Sequence, residues 1–138
     1  MSHKCSTLII HCIDFRFIPD LKKFLTDEGL MGDSDEVSLA GGIKDLLGEG
    51  RDQILKQVDI SSGLHGISRV IFIAHEDCGA YGGTKSFAND EVEFSKHKED
   101  LAKAKEIILT KFPDLEVNFV FARIKEEDGK NKIWFEKW

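Results

Sequence analysis

Long apolar runs are missing from this 138-residue chain. No uninterrupted stretch approaches the roughly 20 residues that a membrane-spanning helix needs, so no membrane partner is expected. The start, Met1 to Ser6, is short and polar and does not read as a secretory signal. The default location is therefore the cytoplasm. Cysteine is scarce as well. There are three, an odd number, which argues against a disulfide framework. An excess of positive charge is also lacking. The formal net charge is −6, a field that repels a phosphate backbone unless basic residues are gathered in one patch. The lysines Lys22, Lys23, Lys96, Lys98, Lys103, Lys105 and Lys111 are instead scattered among acids, as on a solvated helix face. Nucleic acid is set aside as a partner. No internal repeat, linker or low-complexity segment interrupts the chain, so residues 1–138 read as a single domain around one core.

What is present alternates between two periods. Thr7 to Cys12 is a short run rich in branched residues and reads as a buried strand. Pro19 opens a helix whose inner face carries Leu21, Phe24, Leu25 and Leu30, closed by Gly29 and Gly32. Glu36 to Leu39 reads as a second strand running into Ala40-Gly41-Gly42. Ile43 to Val58 has helical spacing, weakened by Gly48 and Gly50, and so is expected as two pieces. Ser61 to Ser68 is rich in turn residues. Arg69 to Ala74 is the clearest buried strand, and it empties into the glycine-rich loop His75 to Gly83. Glu91 to Phe112 is a long helix stopped by Pro113. Leu115 to Ile124 and Lys132 to Phe135 are two last strands, joined by a turn at Glu127-Asp128-Gly129-Lys130. This alternation predicts an α/β fold: a mainly parallel sheet flanked by helices, with an antiparallel C-terminal edge strand.

In open sheets of this kind, ligands bind beyond the carboxyl ends of the strands. Three such ends carry unusual residues: Cys12-Ile13-Asp14-Phe15-Arg16, Ala40-Gly41-Gly42, and His75-Glu76-Asp77-Cys78-Gly79. If the first and third strands lie side by side, Cys12, His75 and Cys78 converge. Two thiolates and an imidazole suit Zn²⁺, and three protein ligands leave its fourth position open, as catalytic zinc sites require. Two thiolates also cancel the charge of the ion and lower the cost of burying it. Cys5 reads as a lone thiol near the first strand.

Cys12-x-Asp14-x-Arg16 followed downstream by His75-x-x-Cys78-Gly79 resembles the two signature motifs of the β-class carbonic anhydrases. Ala40-Gly41-Gly42 resembles the glycine-containing segment between them. The resemblance implies one zinc ion per chain on Cys12, His75 and Cys78, with Asp14 and Arg16 as a catalytic dyad. It further implies reversible hydration of CO₂ to bicarbonate by a zinc-bound hydroxide, in a homodimer or higher homo-oligomer. Residues two apart on an extended segment share a side, and a guanidinium there keeps the aspartate ionised. Gly41, Gly42 and Gly79 are candidates to offer N–H groups, or simply room, to the small substrate. His65 and His97 are candidate proton shuttles.

Three features depart from the family. Phe15 replaces a usually small residue, which places a ring in the pocket or at a subunit contact. Ser38-Leu39 stands where an arginine–asparagine pair is common. The helical arm that often precedes the first strand is lacking. These departures keep two alternatives in play, a related zinc hydrolase of COS or CS₂ and a non-catalytic zinc protein. Trp134, Phe135 and Trp138 are expected either at a subunit interface or packed along the edge strand.

Overall fold

The structure is a computed structural model that describes residues 2–138; Met1, the first residue of the polar start, lies outside the described residues. Five strands form one sheet in the order β2-β1-β3-β4-β5. They are β1 (Thr7–His11), β2 (Ser34–Ser38), β3 (Arg69–His75), β4 (Glu116–Glu127) and β5 (Lys130–Lys137). The first four run parallel and β5 is antiparallel to β4, as the alternation predicted. Strand β1 does lie beside β3, with His11 level with Ile73. Their carboxyl ends therefore open at the same edge.

The period-2 alternation divides the core into two layers. Leu8, Ile10, Val70 and Phe72 pack with Ile54 and Val58 of α2 (Arg51–Ile60) and with Leu101, Ala104 and Ile108 of α3 (Asp90–Lys111). Ile9, Ile71 and Ile73 point the other way, onto Leu21 and Leu25 of α1 (Ile18–Asp27). Each fully buried Leu or Ile contributes about 1.5–3 kcal/mol of apolar transfer.

Local signals set the element ends. Pro19 stands in the first turn of α1. Past its end, Leu30 N–H bonds to the Leu25 carbonyl and Gly29 N–H to that of Thr26, the paired bonds of a Schellman motif with Gly29 at φ +72°. Leu30 is thus buried beyond the helix rather than on its last turn. The Ile43–Val58 segment is indeed two pieces, a 3₁₀ helix (Gly42–Leu47) followed by α2. The Asn89 side chain accepts Val92 N–H and starts α3. Asp128 and Gly129 both have positive φ, the two-residue turn that suits a twisted hairpin. One segment was not foreseen: the turn-rich stretch after α2 contains a π-helical turn, Ser61–His65.

Candidate metal centre

Strand β1 ends at His11, so Cys12 is the first residue past the sheet. Strand β3 delivers His75 as its last residue and Cys78 in the loop that follows. Their three donor atoms all lie within 4.8 Å of one another and all three residues are buried. The two sulfurs are 3.9 Å apart. Two sulfurs at the usual zinc distance of about 2.3 Å in a tetrahedron stand about 3.8 Å apart. His75 Nδ1 lies 2.8 Å from the Glu76 carbonyl, which accepts its proton and leaves Nε2 with a free lone pair. That Nε2 is buried and has no hydrogen-bond partner, a costly arrangement unless something else fills its place. Phe17, fully buried, stacks on the His75 ring at 4.9 Å and holds its plane.

The thiols are electrostatically unequal. A hydrogen bond from Cys78 pulls the Cys12 thiol well below the ordinary thiol range, and Gly41 N–H, 3.3 Å from the sulfur, adds to this. Cys78 is pushed up by the same bond and by burial. The pair thus releases one proton readily and retains the second, which a cation would displace.

Asp14 and Arg16 are joined as expected. Arg16 Nη2 reaches Asp14 Oδ2 at 2.6 Å and Nε reaches Oδ1 at 3.0 Å, while Arg16 backbone N–H also donates to Oδ1. These bonds hold the Asp14 carboxyl below the usual carboxylate range. Asp14 Oδ2 is 3.8 Å from His75 Nε2. Asp77, which the sequence reading passed over, completes the grip. Its carboxylate takes Arg16 Nη1 at 2.8 Å and its carbonyl takes Nη2 at 2.8 Å. Asp77 is itself fixed by Thr84 N–H on Oδ1 and by Glu93, which accepts from Asp77 N–H and from the Thr84 hydroxyl. Glu76 is buried behind the loop, accepting Ile124 N–H and facing Lys125 Nζ at 2.9 Å.

Gly41 and Gly42 do not offer their N–H groups to a substrate. Gly41 N–H is committed to the Cys12 sulfur, and Gly42 N–H to the Leu39 carbonyl. Both have positive φ, and a Cβ on Gly41 would lie 2.9 Å from Ala80 Cβ. They are therefore turn and close-approach positions. Gly79 faces open space. A Gly41→Ala substitution is expected to cost about 2 kcal/mol of stability, read as a lowered midpoint in urea unfolding, and to weaken metal retention by displacing the N–H on Cys12.

Neither histidine proposed as a shuttle stands where one is needed. His65 is at the opposite end of the sheet, where its carbonyl accepts Cys5 N–H. His97 is buried with both ring nitrogens unpartnered, packed on Tyr81 and Phe121. Burial pulls its pKa from 6.5 down to about 4, so it is neutral at pH 7. The linkage has a definite sign. Between the two values, the unfolded chain takes a proton that the folded chain refuses, so stability is lost as pH falls through that window. Relative to His97→Phe, the wild type is expected to lose up to about 3 kcal/mol from pH 6.5 to pH 4, measured by urea unfolding across that range.

Phe15 does not fill the pocket. It is 82% exposed, next to the exposed Ile13. Ser38 is exposed, and Leu39 packs against the α2–α3 layer. Trp134 is partly exposed on the edge strand, while Phe135 stacks on Phe24 and Trp138 on Phe121.

A family profile described as "Putative carbonic anhydrase" matches residues 1–128. The chain belongs to this family. An uncharacterized protein of Rickettsia bellii is 38% identical over 122 residues, 83% of this chain and 74% of that protein. Among solved structures, a β-carbonic anhydrase of Aspergillus fumigatus superposes with a TM-score of 0.63 at 14% identity, over 99% of this chain and 76% of that one. One from Sordaria macrospora, described as tetrameric, gives 0.62 at 13% identity over 94% and 80%. The chain has the β-carbonic anhydrase fold. Among the described residues, no helix is long and apolar enough to cross a membrane.

Proposed function

We propose that residues 1–138 form one domain that hydrates CO₂ reversibly, with Cys12, His75 and Cys78 holding one zinc ion and Asp14 and Arg16 serving the reaction. One observation carries this reading: two sulfurs 3.9 Å apart and an unpartnered buried imidazole nitrogen converge beside a carboxylate already held by arginine. Zinc bound there supplies a water acidified from about 15.7 toward 7, which makes hydroxide available near neutral pH. The chain does the rest by placement. Both Asp14 oxygens take two Arg16 donors, Oδ1 from the backbone N–H and Nε, Oδ2 from Nη2 and from Nε at 3.2 Å, and Oδ2 is the one that faces His75 Nε2. By its position beside His75, Oδ2 is the oxygen placed to accept a proton and to orient the attacking oxygen. Arg16 keeps that carboxylate ionised and withholds it from the cation, and Asp77 keeps Arg16 in place. With His97 buried and His65 remote, protons leave directly to solvent past the partly exposed edge of Asp14.

The alternatives lose their motives. An altered pocket suited to COS or CS₂ rested on Phe15 and Ser38-Leu39; Phe15 and Ser38 are exposed and Leu39 packs on the core. A purely structural zinc requires a fourth protein ligand, and Asp14, the nearest candidate, is held by Arg16. The exposed Ile13–Phe15 pair supports a homodimer or larger homo-oligomer, in keeping with the tetrameric relative, and three free thiols suit a cytoplasmic setting. The test is stopped-flow CO₂ hydration with a pH indicator. Rates are expected to rise in proportion to zinc content. Rates no faster than buffer between pH 7 and 9 would contradict the proposal.

A further inference from the structure

A second group of metal-type donors lies at the other end of the sheet. Cys5, just before β1, Asp35 on β2 and His65 at the end of the π-helical turn bring one sulfur, one carboxylate oxygen and one ring nitrogen within 4.8 Å of one another. All three are part-buried, so solvent can reach them. We infer that Cys5, Asp35 and His65 form a second binding site for a divalent cation of borderline softness, of the Zn²⁺ class, with solvent completing its shell.

The donor set has the right chemistry. Thiolate, carboxylate and imidazole are the three side-chain ligand types zinc accepts, and one thiolate plus one carboxylate neutralise the ion. Without a cation Asp35 pairs with His65 and Ser61, while the Cys5 sulfur has the weakest partner of the three. The Cys5 thiol is partly buried with Asp35 beside it. Its hydrogen bond is a weak one, 3.8 Å to the Thr7 carbonyl. A bound cation would be shared by the sulfur, the carboxylate and the imidazole nitrogen once their protons are displaced. On binding, the Cys5 S–H proton leaves to solvent, and the His65 proton moves from Nδ1, now 2.7 Å from Asp35 Oδ2, to Nε2.

The positions are also fixed by the fold. Cys5 N–H bonds to the His65 carbonyl, and Ser6 N–H and Oγ bond to Asp33, two residues before Asp35. The Ser61 hydroxyl donates to Asp35 Oδ2 at 2.6 Å and orients the carboxylate, as outer partners of metal ligands do. The π-helical turn presents both Ser61 and His65 to it, and such turns recur at functional sites. A bound ion would clip three segments together: the start of β1, β2 and the turn after α2. This site does not depend on the proposed carbonic anhydrase centre.

The experiment is metal content of the full chain after zinc loading and desalting, measured by inductively coupled plasma mass spectrometry. Two equivalents are expected for wild type and one each for Cys5→Ser, His65→Gln and Cys78→Ser. Circular dichroism confirms folding of each variant. Titration of wild type with cadmium gives an independent readout, with a thiolate charge-transfer band reaching the amplitude of three ionised thiols. One equivalent in wild type that Cys5→Ser and His65→Gln leave unchanged, with a two-thiolate band, overturns the second site. One equivalent that survives Cys78→Ser but is lost in Cys5→Ser upholds it and instead defeats the reading of the buried centre.

Discussion

Cys78→Ser is expected to lose one zinc equivalent and to hydrate CO₂ no faster than buffer. Zinc binding in small protein sites is worth about 10–16 kcal/mol, shared among few ligands, so losing one thiolate removes several kcal/mol. The geometry adds to this. The serine hydroxyl is a poorer donor on a shorter reach, and it leaves a single thiolate to balance a dication in a buried position. Cys12 also loses the sulfur 3.9 Å away whose hydrogen bond favours its ionised form. Metal analysis and stopped-flow kinetics on the same sample give both readouts. A Cys78→Ser protein that keeps its metal and its rate would mean that the sulfur is not a ligand.

Arg16→Ala is expected to keep its zinc and lose about 100-fold or more in CO₂ hydration. Arg16 contributes three things at once. It ionises Asp14, donates to both of its oxygens and holds Oδ2 3.8 Å from His75 Nε2. Without it the carboxylate is free to compete for the open coordination position. Asp14→Asn is expected to fall by a similar factor, and the double variant by little more than either single change, because the two residues act as a unit. Additive losses would show that Arg16 acts independently of Asp14. Zinc content separates this result from that of Cys78→Ser, since only the cysteine change empties the buried centre.

How much of this was legible beforehand follows from the kind of interaction involved. Periodicity reports which face of an element is apolar. It therefore revealed the buried strands at Thr7 and Arg69, while Gly48 and Gly50 marked the break inside Ile43–Val58 and turn residues marked the hairpin at Asp128-Gly129. Strand tips follow from strands, so Cys12, His75 and Cys78 could be expected at one edge. The Asp14–Arg16 pair was legible because the two lie within one short segment. Contacts that join distant segments leave no such trace. Asp77 holds Arg16 from another loop, Glu93 braces Asp77 from α3, and Phe17 stacks on His75 across the sheet edge. A buried acid such as Glu93 looks like one more charge in an acidic helix start until its partners are seen. Cys5 reads as a lone thiol for the same reason, since Asp35 and His65 approach it only through the fold. Gly41 was singled out as a potential donor, but only the structure shows that its N–H goes to the Cys12 sulfur.

The most direct measurement is zinc X-ray absorption on the Cys5→Ser protein carrying one equivalent of metal, so that only the buried cluster reports. The expected spectrum fits two sulfurs at about 2.3 Å and two nitrogen or oxygen neighbours at about 2.0–2.1 Å. A shell of nitrogen and oxygen alone, or a chain that retains no zinc after loading, would contradict it.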